Sequence, residues 1–247
     1  MPSLADLPAQ DRLIVALDVP TVDVALRAVD ELSNVSFFKI GYQLFVTGGV
    51  PRLLNALQDK FVFLDLKVPG DIANTIAAVI DLCVNSGVMF LTLSESMPPA
   101  AIRVAKATRD AGQSETPKLL TVPFVSSLDA TDLQEITGER DLESFIVQRA
   151  GRAIESGCDG IIASGDAIRV CRQAFPHPTL IVSPGIRPAG SSTNDHKRHT
   201  TPAEAMRLGS DFVVVGRPIL SSPAPRDAAE RIIEEIEMAL RSVGHQV

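Results

Sequence analysis

Short apolar runs alternate with longer amphipathic segments along the chain, and this alternation restricts the fold more than any other feature. Runs rich in Val, Ile and Leu, such as residues 13–17 and 212–215, are typical of parallel strands buried on both faces. Between them, apolar residues recur at helical spacing, as at Ile72, Ile76 and Ile80. Eight such strand–helix units fill the 247 residues. The sequence therefore predicts an α/β fold, a single-domain (β/α)8 TIM barrel, with an open doubly wound sheet as the alternative.

The chain shows no internal boundary and no export or membrane signal. No Pro-, Gly- or Ser-rich linker divides it, so we expect residues 1–247 to form one barrel domain, with residues 1–11 as a short polar N-terminal arm. No apolar stretch is long enough to cross a bilayer, and the N-terminus lacks the pattern of a signal peptide. The three cysteines have no C-x-x-C spacing, which favours buried thiols in a reducing, cytoplasmic protein.

Composition also restricts the partners. A net charge of −7, with one tyrosine and no tryptophan, argues against nucleic-acid binding but not against a small anionic ligand, because the field of a pocket is local. The chain has no G-x-G-x-x-G, Walker or G-x-S-x-G motif. We therefore expect neither a nucleotide coenzyme nor a serine triad.

Charged side chains mark the C-terminal ends of several predicted strands. Asp65 and Lys67 lie two residues apart at the end of one apolar run, so the pleat of a strand directs them to the same face. Lys39 stands in a similar setting on the preceding run, and Asp18 follows the first. These ends meet at the active-site face of a barrel. A structural salt-bridge network is the alternative, but its repetition over several strands favours a functional site.

The last two strands are followed by segments typical of phosphate binding. Residues 183–198 are polar, rich in turn-forming residues and carry several cations, and Gly216 and Arg217 end the eighth strand. Barrels commonly bind phosphate at these two loops, through backbone N–H groups and a basic side chain. An ordinary solvated loop is the alternative. His196 and His199 lack the supporting ligands of a zinc site, so we predict no metal.

Five blocks of sequence together resemble the orotidine 5′-phosphate decarboxylase family. The resemblance implies a (β/α)8 homodimer with active sites at the subunit interface, no cofactor, and decarboxylation of orotidine 5′-phosphate to UMP in pyrimidine biosynthesis. The blocks are Ala16-Leu17-Asp18; Phe38-Lys39-Ile40-Gly41; Phe63-Leu64-Asp65-Leu66-Lys67 with Asp71-Ile72 and Asn74-Thr75; Pro184-Gly185-Ile186-Arg187-Pro188; and Val214-Val215-Gly216-Arg217-Pro218-Ile219.

The resemblance also implies roles for individual residues. Lys67 would protonate C6 as CO₂ leaves, Asp65 and Asp71 would flank the substrate carboxylate, and Lys39 would complete the catalytic charge network. Asp71 and Thr75 would reach in from the partner subunit. The residues implied to bind the nucleotide substrate are Asp18, Lys39, Ile72, Thr75, Ser126 (Ser127 after a one-residue slip), Arg187, His196, Gly216 and Arg217.

Two departures from the family pattern stand out. The family usually places its second aspartate three residues after the lysine, whereas Asp71 lies four residues after Lys67. Since glycine tolerates unusual dihedral angles, we expect Gly70 to absorb the extra residue as a local bulge. His196 stands where the family usually has a glutamine, and an imidazole can also donate to phosphate.

Two other functions fit the same scaffold. A related sugar-phosphate branch uses Mg²⁺ and places a metal-binding glutamate where this chain has Lys39, and a cation at that position opposes Mg²⁺ binding. A non-catalytic sensor of phosphate-bearing ligands is the other. The chain keeps all four charged residues of the lysine–aspartate network, and this argues against a sensor because a protein that only binds its ligand does not need that network.

Overall fold

The computed structural model describes residues 7–188 and 200–244, and its strands close into a parallel barrel. The strands are hydrogen-bonded in sequence order, and the last pairs with the first through Leu13 and Val213. The (β/α)8 prediction is therefore confirmed, and the open-sheet alternative is wrong. The strands are β1 (Leu13–Ala16), β2 (Phe37–Ile40), β3 (Phe61–Val68), β4 (Phe90–Leu93), β5 (Lys118–Thr121), β6 (Gly160–Ile162), β7 (Leu180–Ser183) and β8 (Phe212–Val215).

Helices surround the barrel, and most match the amphipathic segments of the sequence. The connections after β2, β5 and β8 each contain two helices. The helices are α1 (Val22–Glu31), α2 (Tyr42–Val46), α3 (Val50–Ala56), α4 (Ala73–Asn85), α5 (Pro99–Ala111), α6 (Ala130–Thr137), α7 (Leu142–Ser156), α8 (Ala167–Ala174), α9 (Pro202–Leu208), α10 (Arg217–Leu220) and α11 (Pro225–Gly244).

Local side-chain caps explain where several helices begin. Thr21 precedes α1 and accepts a hydrogen bond from the Val24 N–H, which satisfies one of the unpaired donors of the first turn. Thr201 and Glu204 form a reciprocal capping box at the start of α9. These short-range signals therefore mark the first residues of α1 and α9.

Aromatic side chains fill the barrel interior at the N-terminal ends of the strands. Phe37, Phe90 and Phe212 are the first residues of β2, β4 and β8, and all three are buried. The Phe90 ring lies 5.0 Å from the ring centroids of both Phe37 and Phe212. Leu7 packs against the same cluster. Because these rings occupy the N-terminal end of the interior, space for a ligand remains at the C-terminal end of the strands.

The three cysteines, Cys83, Cys158 and Cys171, are buried free thiols, as the sequence predicted. Burial raises the pKa of the Cys83 and Cys158 thiols to about 12. In the part of the chain covered by the structure, no helix combines the length and apolar character needed to span a bilayer.

Candidate active site

Three strand ends bring their charged side chains together in one ion cluster. The Asp65 carboxylate lies at its centre: Oδ1 is 2.9 Å from Lys67 Nζ, and Oδ2 is 3.4 Å from Lys39 Nζ. Lys39 Nζ also lies 3.1 Å from Asp18 Oδ1. The Lys39 side chain is only 9% exposed, whereas that of Asp18 is 53% exposed. The cluster therefore runs from the interior of the barrel to its open end.

The Asp65 carboxyl is held in its ionised form. Burial opposes ionisation, but the ammonium groups of Lys39 and Lys67 and hydrogen bonds from Lys67 and Thr92 outweigh it, and the pKa of Asp65 is lowered from its ordinary value of 3.8. Each ammonium group thus faces a fixed negative charge. The sequence prediction that Asp65 and Lys67 share one strand face is confirmed by their direct contact.

Gly41 allows the outer ion pair to form. A Cβ atom at this position would lie 3.2 Å from both Asp18 Oδ1 and Lys39 Nζ. A side chain there would therefore crowd the two charged groups. The block Phe38-Lys39-Ile40-Gly41 thus includes a glycine at the point where two charged side chains approach the backbone closely.

Strand β3 is irregular where it carries the cluster. Leu64 pairs with Leu91 and Val68 with Leu93, so the β3 side spans four steps against two on β4. Lys67 has a φ of +42°, which is uncommon for a residue with a side chain. This bulge therefore lies within β3, between Leu64 and Val68. The expectation that Gly70 absorbs the extra residue between Lys67 and Asp71 stays a prediction. Gly70 has another role, because a Cβ there would lie 2.4 Å from Pro98 Cδ.

Two hydroxyl groups that sequence reasoning missed contact this bulge. The Thr92 hydroxyl accepts a hydrogen bond from the Lys67 backbone N–H at 2.8 Å and donates to Asp65 Oδ1 at 3.0 Å. The hydroxyl of Tyr42, at the start of α2, donates to the Leu66 carbonyl. A threonine inside a strand and a tyrosine opening a helix carry no distinctive signal in sequence, so neither could have been singled out.

A cavity of about 330 Å³ opens above the cluster at the C-terminal ends of the strands. Ser126 and Ser127 both line it, so the one-residue ambiguity between them remains. The other predicted site residues in its wall are Asp18, Lys39, Asp65, Lys67, Arg187, Gly216 and Arg217.

Arg187 approaches the cavity from a constrained backbone. Its N–H donates to the Thr200 carbonyl at 3.0 Å, and Ile186 forms an isolated bridge with Thr200. The guanidinium donates to the Ile186 carbonyl at 2.8 Å, and the residue is buried. Arg187 and Arg217, from the segments that follow β7 and β8, therefore supply two cations to one cavity.

Three predicted site residues do not line this cavity. Asp71, Ile72 and Thr75 are exposed around the start of α4, and the Asp71 carboxylate accepts a hydrogen bond from the Ile72 N–H at 2.7 Å. Ile72 is 69% exposed despite its apolar side chain. His196, the predicted phosphate contact, lies outside the residues that the structure describes.

The fold and the ion cluster define a (β/α)8-barrel enzyme whose charged site lies at the C-terminal ends of the strands. Residues 11–232 match the model of the orotidine 5′-phosphate decarboxylase / HUMPS family, and the chain belongs to this family. The family resemblance that the sequence motifs indicated is therefore confirmed, as is the prediction of an enzyme of the decarboxylase family.

Individual relatives agree with this assignment. The chain is 41% identical over 239 residues to an orotidine 5′-phosphate decarboxylase from Rhodopseudomonas palustris strain HaA2, covering 95% of this chain and 98% of that protein. It is 40% identical over 237 residues to the enzyme of the same name from strain ATCC BAA-98 / CGA009, covering 95% and 97%. The crystal structure of orotidine 5′-phosphate decarboxylase from Lactobacillus acidophilus superposes with a TM-score of 0.79 at 30% identity, covering 92% of this chain and 99% of that one.

Proposed function

We propose that this chain decarboxylates orotidine 5′-phosphate to UMP without a cofactor, and that Lys67 protonates C6 of the pyrimidine. The observation that carries the proposal is the ion cluster of Lys39, Asp65 and Lys67 in a cavity that also contains two arginines. A phosphate-bearing substrate with a second anionic group needs cations at two places in one pocket. The relatives named orotidine 5′-phosphate decarboxylase support the same choice of substrate.

The lining of the cavity suggests how the substrate binds. The phosphate contacts Arg187, Arg217 and the backbone at Gly216, because a guanidinium offers a fork of N–H donors to phosphate oxygens. The pyrimidine contacts Ser126 or Ser127. Asp18, at the open end of the ion cluster, and its partner Lys39 bind the ribose hydroxyls.

Lys67 supplies the chemistry in this proposal. The bond between C6 and the carboxylate carbon breaks, CO₂ leaves, and the electron pair stays on C6. The nearby ammonium stabilises that charge and transfers a proton from Nζ to C6, which yields UMP and a neutral amine that solvent reprotonates. Asp65 orients the ammonium through the 2.9 Å contact. Binding energy from the remote phosphate holds the ring in place during this step.

The proposal includes a homodimer in which Asp71, Ile72 and Thr75 serve the site of the partner subunit. These residues are exposed and lie outside the cavity of their own chain, which supports a role in trans. An apolar groove of about 940 Å³ adjoins them, and its wall includes Tyr42 and Phe45, each half exposed. Apolar surface of this kind is typical of subunit interfaces.

Cofactor independence is also part of the proposal. Lys39 stands where the sugar-phosphate branch has its metal-binding glutamate, and it already pairs with Asp18 and Asp65. A cation in that position repels Mg²⁺ and neutralises the carboxylates that could otherwise bind it.

One assay separates the candidate functions. The absorbance change on conversion of orotidine 5′-phosphate to UMP is followed with the purified protein, with and without EDTA. We expect turnover that EDTA leaves unchanged. Turnover that EDTA abolishes would contradict cofactor independence. Absence of both turnover and UMP binding would favour the sugar-phosphate branch, and UMP binding without any turnover would support a sensor.

A further inference from the structure

The bulge in β3 removes one backbone donor from the sheet. The Lys67 N–H lies between Leu64 and Val68, where the register of β3 against β4 shifts, and it donates to a side chain and not to a carbonyl of the sheet. An unpaired N–H at this depth is costly. The Thr92 hydroxyl accepts this N–H instead, at 2.8 Å, and Thr92 is fully buried.

The same hydroxyl restricts two members of the ion cluster at once. The hydroxyl oxygen accepts a hydrogen bond from the Lys67 backbone N–H and so stabilises a φ of +42°. A lysine does not adopt this conformation without such support. The hydroxyl proton points to Asp65 Oδ1, the oxygen that also accepts from Lys67 Nζ. One group therefore fixes both where the Lys67 side chain leaves the strand and where its carboxylate partner lies.

We infer that Thr92 is a positioning residue of this active site, which acts by holding the strained backbone of Lys67 and the carboxylate of Asp65 in the geometry for proton transfer. The expected effect on kcat rests on the proposed function. The expected effect on the backbone of Lys67 rests only on the geometry of β3 and β4. Thr92 is fully buried and is not part of the cavity wall, so it acts through Lys67 and Asp65.

The decisive comparison is between Thr92→Val and Thr92→Ser. Valine keeps the shape of threonine and its preference for strands but removes the hydroxyl, whereas serine keeps the hydroxyl. We expect kcat for orotidine 5′-phosphate to fall by roughly ten- to a hundredfold in Thr92→Val, as for other displacements of a catalytic group. The Kd for UMP should change by less than about threefold, and Thr92→Ser should regain most of the lost kcat.

Thr121→Val is the matched control. Thr121 is a buried threonine on the neighbouring strand β5, but it points away from the barrel interior, because Leu120 packs into the interior and Val122 lines the cavity. It should leave kcat near that of the wild type. If Thr92→Val retains wild-type kcat, or if it loses kcat and UMP affinity in parallel, the inference is wrong.

A second readout does not depend on catalysis. Hydrogen–deuterium exchange at the Lys67 amide should be at least about tenfold faster in Thr92→Val than in the wild type, and should stay slow in Thr92→Ser and Thr121→Val. If the wild type does not turn over orotidine 5′-phosphate, the proposed function fails while this exchange still tests Thr92. Unchanged exchange at Lys67 overturns the inference.

A further pair keeps the test decisive if Thr92→Val does not fold. Thr92→Cys places a thiol, a weak donor and acceptor, where Thr92→Ser places a hydroxyl of similar size. We expect kcat to be lower, and Lys67 amide exchange faster, in Thr92→Cys than in Thr92→Ser. Equal values in the two variants would contradict a positioning role.

Discussion

Lys67 and Lys39 are both cations of the same cluster, but their surroundings differ. Lys39 is shared between Asp18 and Asp65, whereas the Lys67 ammonium, among the residues that the structure describes, forms an ion pair with Asp65 only. The Lys67 side chain is also more exposed, at 32% against 9%. The Lys67 ammonium is therefore the more accessible of the two cations.

Lys67→Ala should reduce turnover of orotidine 5′-phosphate by at least about a hundredfold, because it removes the proton donor. Folding should survive, since Asp65 keeps its ion pair with Lys39. Steady-state kinetics, UMP binding and circular dichroism measure the three properties. The control is Lys106→Ala, which removes an exposed lysine paired with Asp110 on α5 and should leave turnover unchanged. Turnover within about tenfold of the wild type in Lys67→Ala would exclude the proton-donor role.

The lowered pKa of Asp65 predicts a defined pH dependence of stability. Its folded-state pKa lies below the ordinary 3.8, so its contribution to the free energy of unfolding is complete above pH 3.8 and is lost as the pH falls below that value. Urea unfolding of the wild type and Asp65→Asn at several pH values checks this. We expect the wild type to be the more stable at pH 7, and the difference to shrink below pH 3.8. A difference that grows in acid would show that the sign is wrong.

Arg217→Ala should weaken ligands that carry a phosphate and spare those that do not. A lost charge-assisted hydrogen bond corresponds to roughly 1.5–3 kcal/mol, or about ten- to a hundredfold in affinity. Binding of UMP and uridine, measured by calorimetry, tests this, with Arg52→Ala as the control because Arg52 is an exposed arginine paired with Asp23 on α1. Equal losses for nucleotide and nucleoside would mean that Arg217 is structural.

At the scale of elements, the connection from β3 to α4 is fixed by contact with the next connection around the barrel. Gly70 packs against Pro98, which precedes α5, and neither strand ladder nor helix holds this segment. The extra residue between Lys67 and Asp71 is therefore accommodated next to a tight contact.

Two glycine substitutions test this at the level of stability. Gly70→Ala should lower the free energy of unfolding by about 1–3 kcal/mol, because its Cβ would lie 2.4 Å from Pro98 Cδ. Gly151→Ala, within α7, should raise it by about 0.5–1 kcal/mol, since its Cβ would make an ordinary contact 3.7 Å from Phe175 Cζ and alanine favours the helix. Urea denaturation measures both. If the two variants have the same free energy of unfolding, the close approach of Gly70 to Pro98 does not contribute to stability.

At the scale of the whole molecule, the proposed dimer decides whether a site is complete. If Asp71 acts in trans, each site takes Lys67 from one chain and Asp71 from the other. Lys67→Ala and Asp71→Ala homodimers then both lack turnover. A mixed dimer has one site with both substitutions and one site with neither.

Mixing equal amounts of these two variants should restore about a quarter of wild-type activity, because random exchange makes about half of the dimers mixed and each of these has one intact site. The recovery should follow the time course of subunit exchange, measured by fluorescence transfer between labelled subunits. Lys67→Ala mixed with Lys67→Ala/Asp71→Ala is the control and should remain inactive. Complete exchange without recovery would mean that Asp71 serves its own chain or no site.

Much of this molecule follows from sequence alone. The alternation of buried strands with amphipathic helices specified the barrel, because parallel strands buried on both faces require helices between them. Asp65 and Lys67 were expected on one face and do contact each other, although β3 is bulged there. The order of the units put Lys39, Asp18, Arg187 and Arg217 at the same end. Each of these inferences depends on local periodicity or on topology, which a sequence records directly.

Only the tertiary structure decided how the cluster is held. A lysine with a positive φ carries no mark in sequence, so the irregularity of β3 at Lys67 could not be predicted from it. Thr92 and Tyr42 contact the bulge from β4 and α2, and such contacts depend on register between segments far apart in the chain. That Lys39 and Lys67 both form ion pairs with Asp65 could likewise be seen only from the distances in the structure. Backbone strain is stabilised by its surroundings, and those surroundings exist only once the barrel has closed.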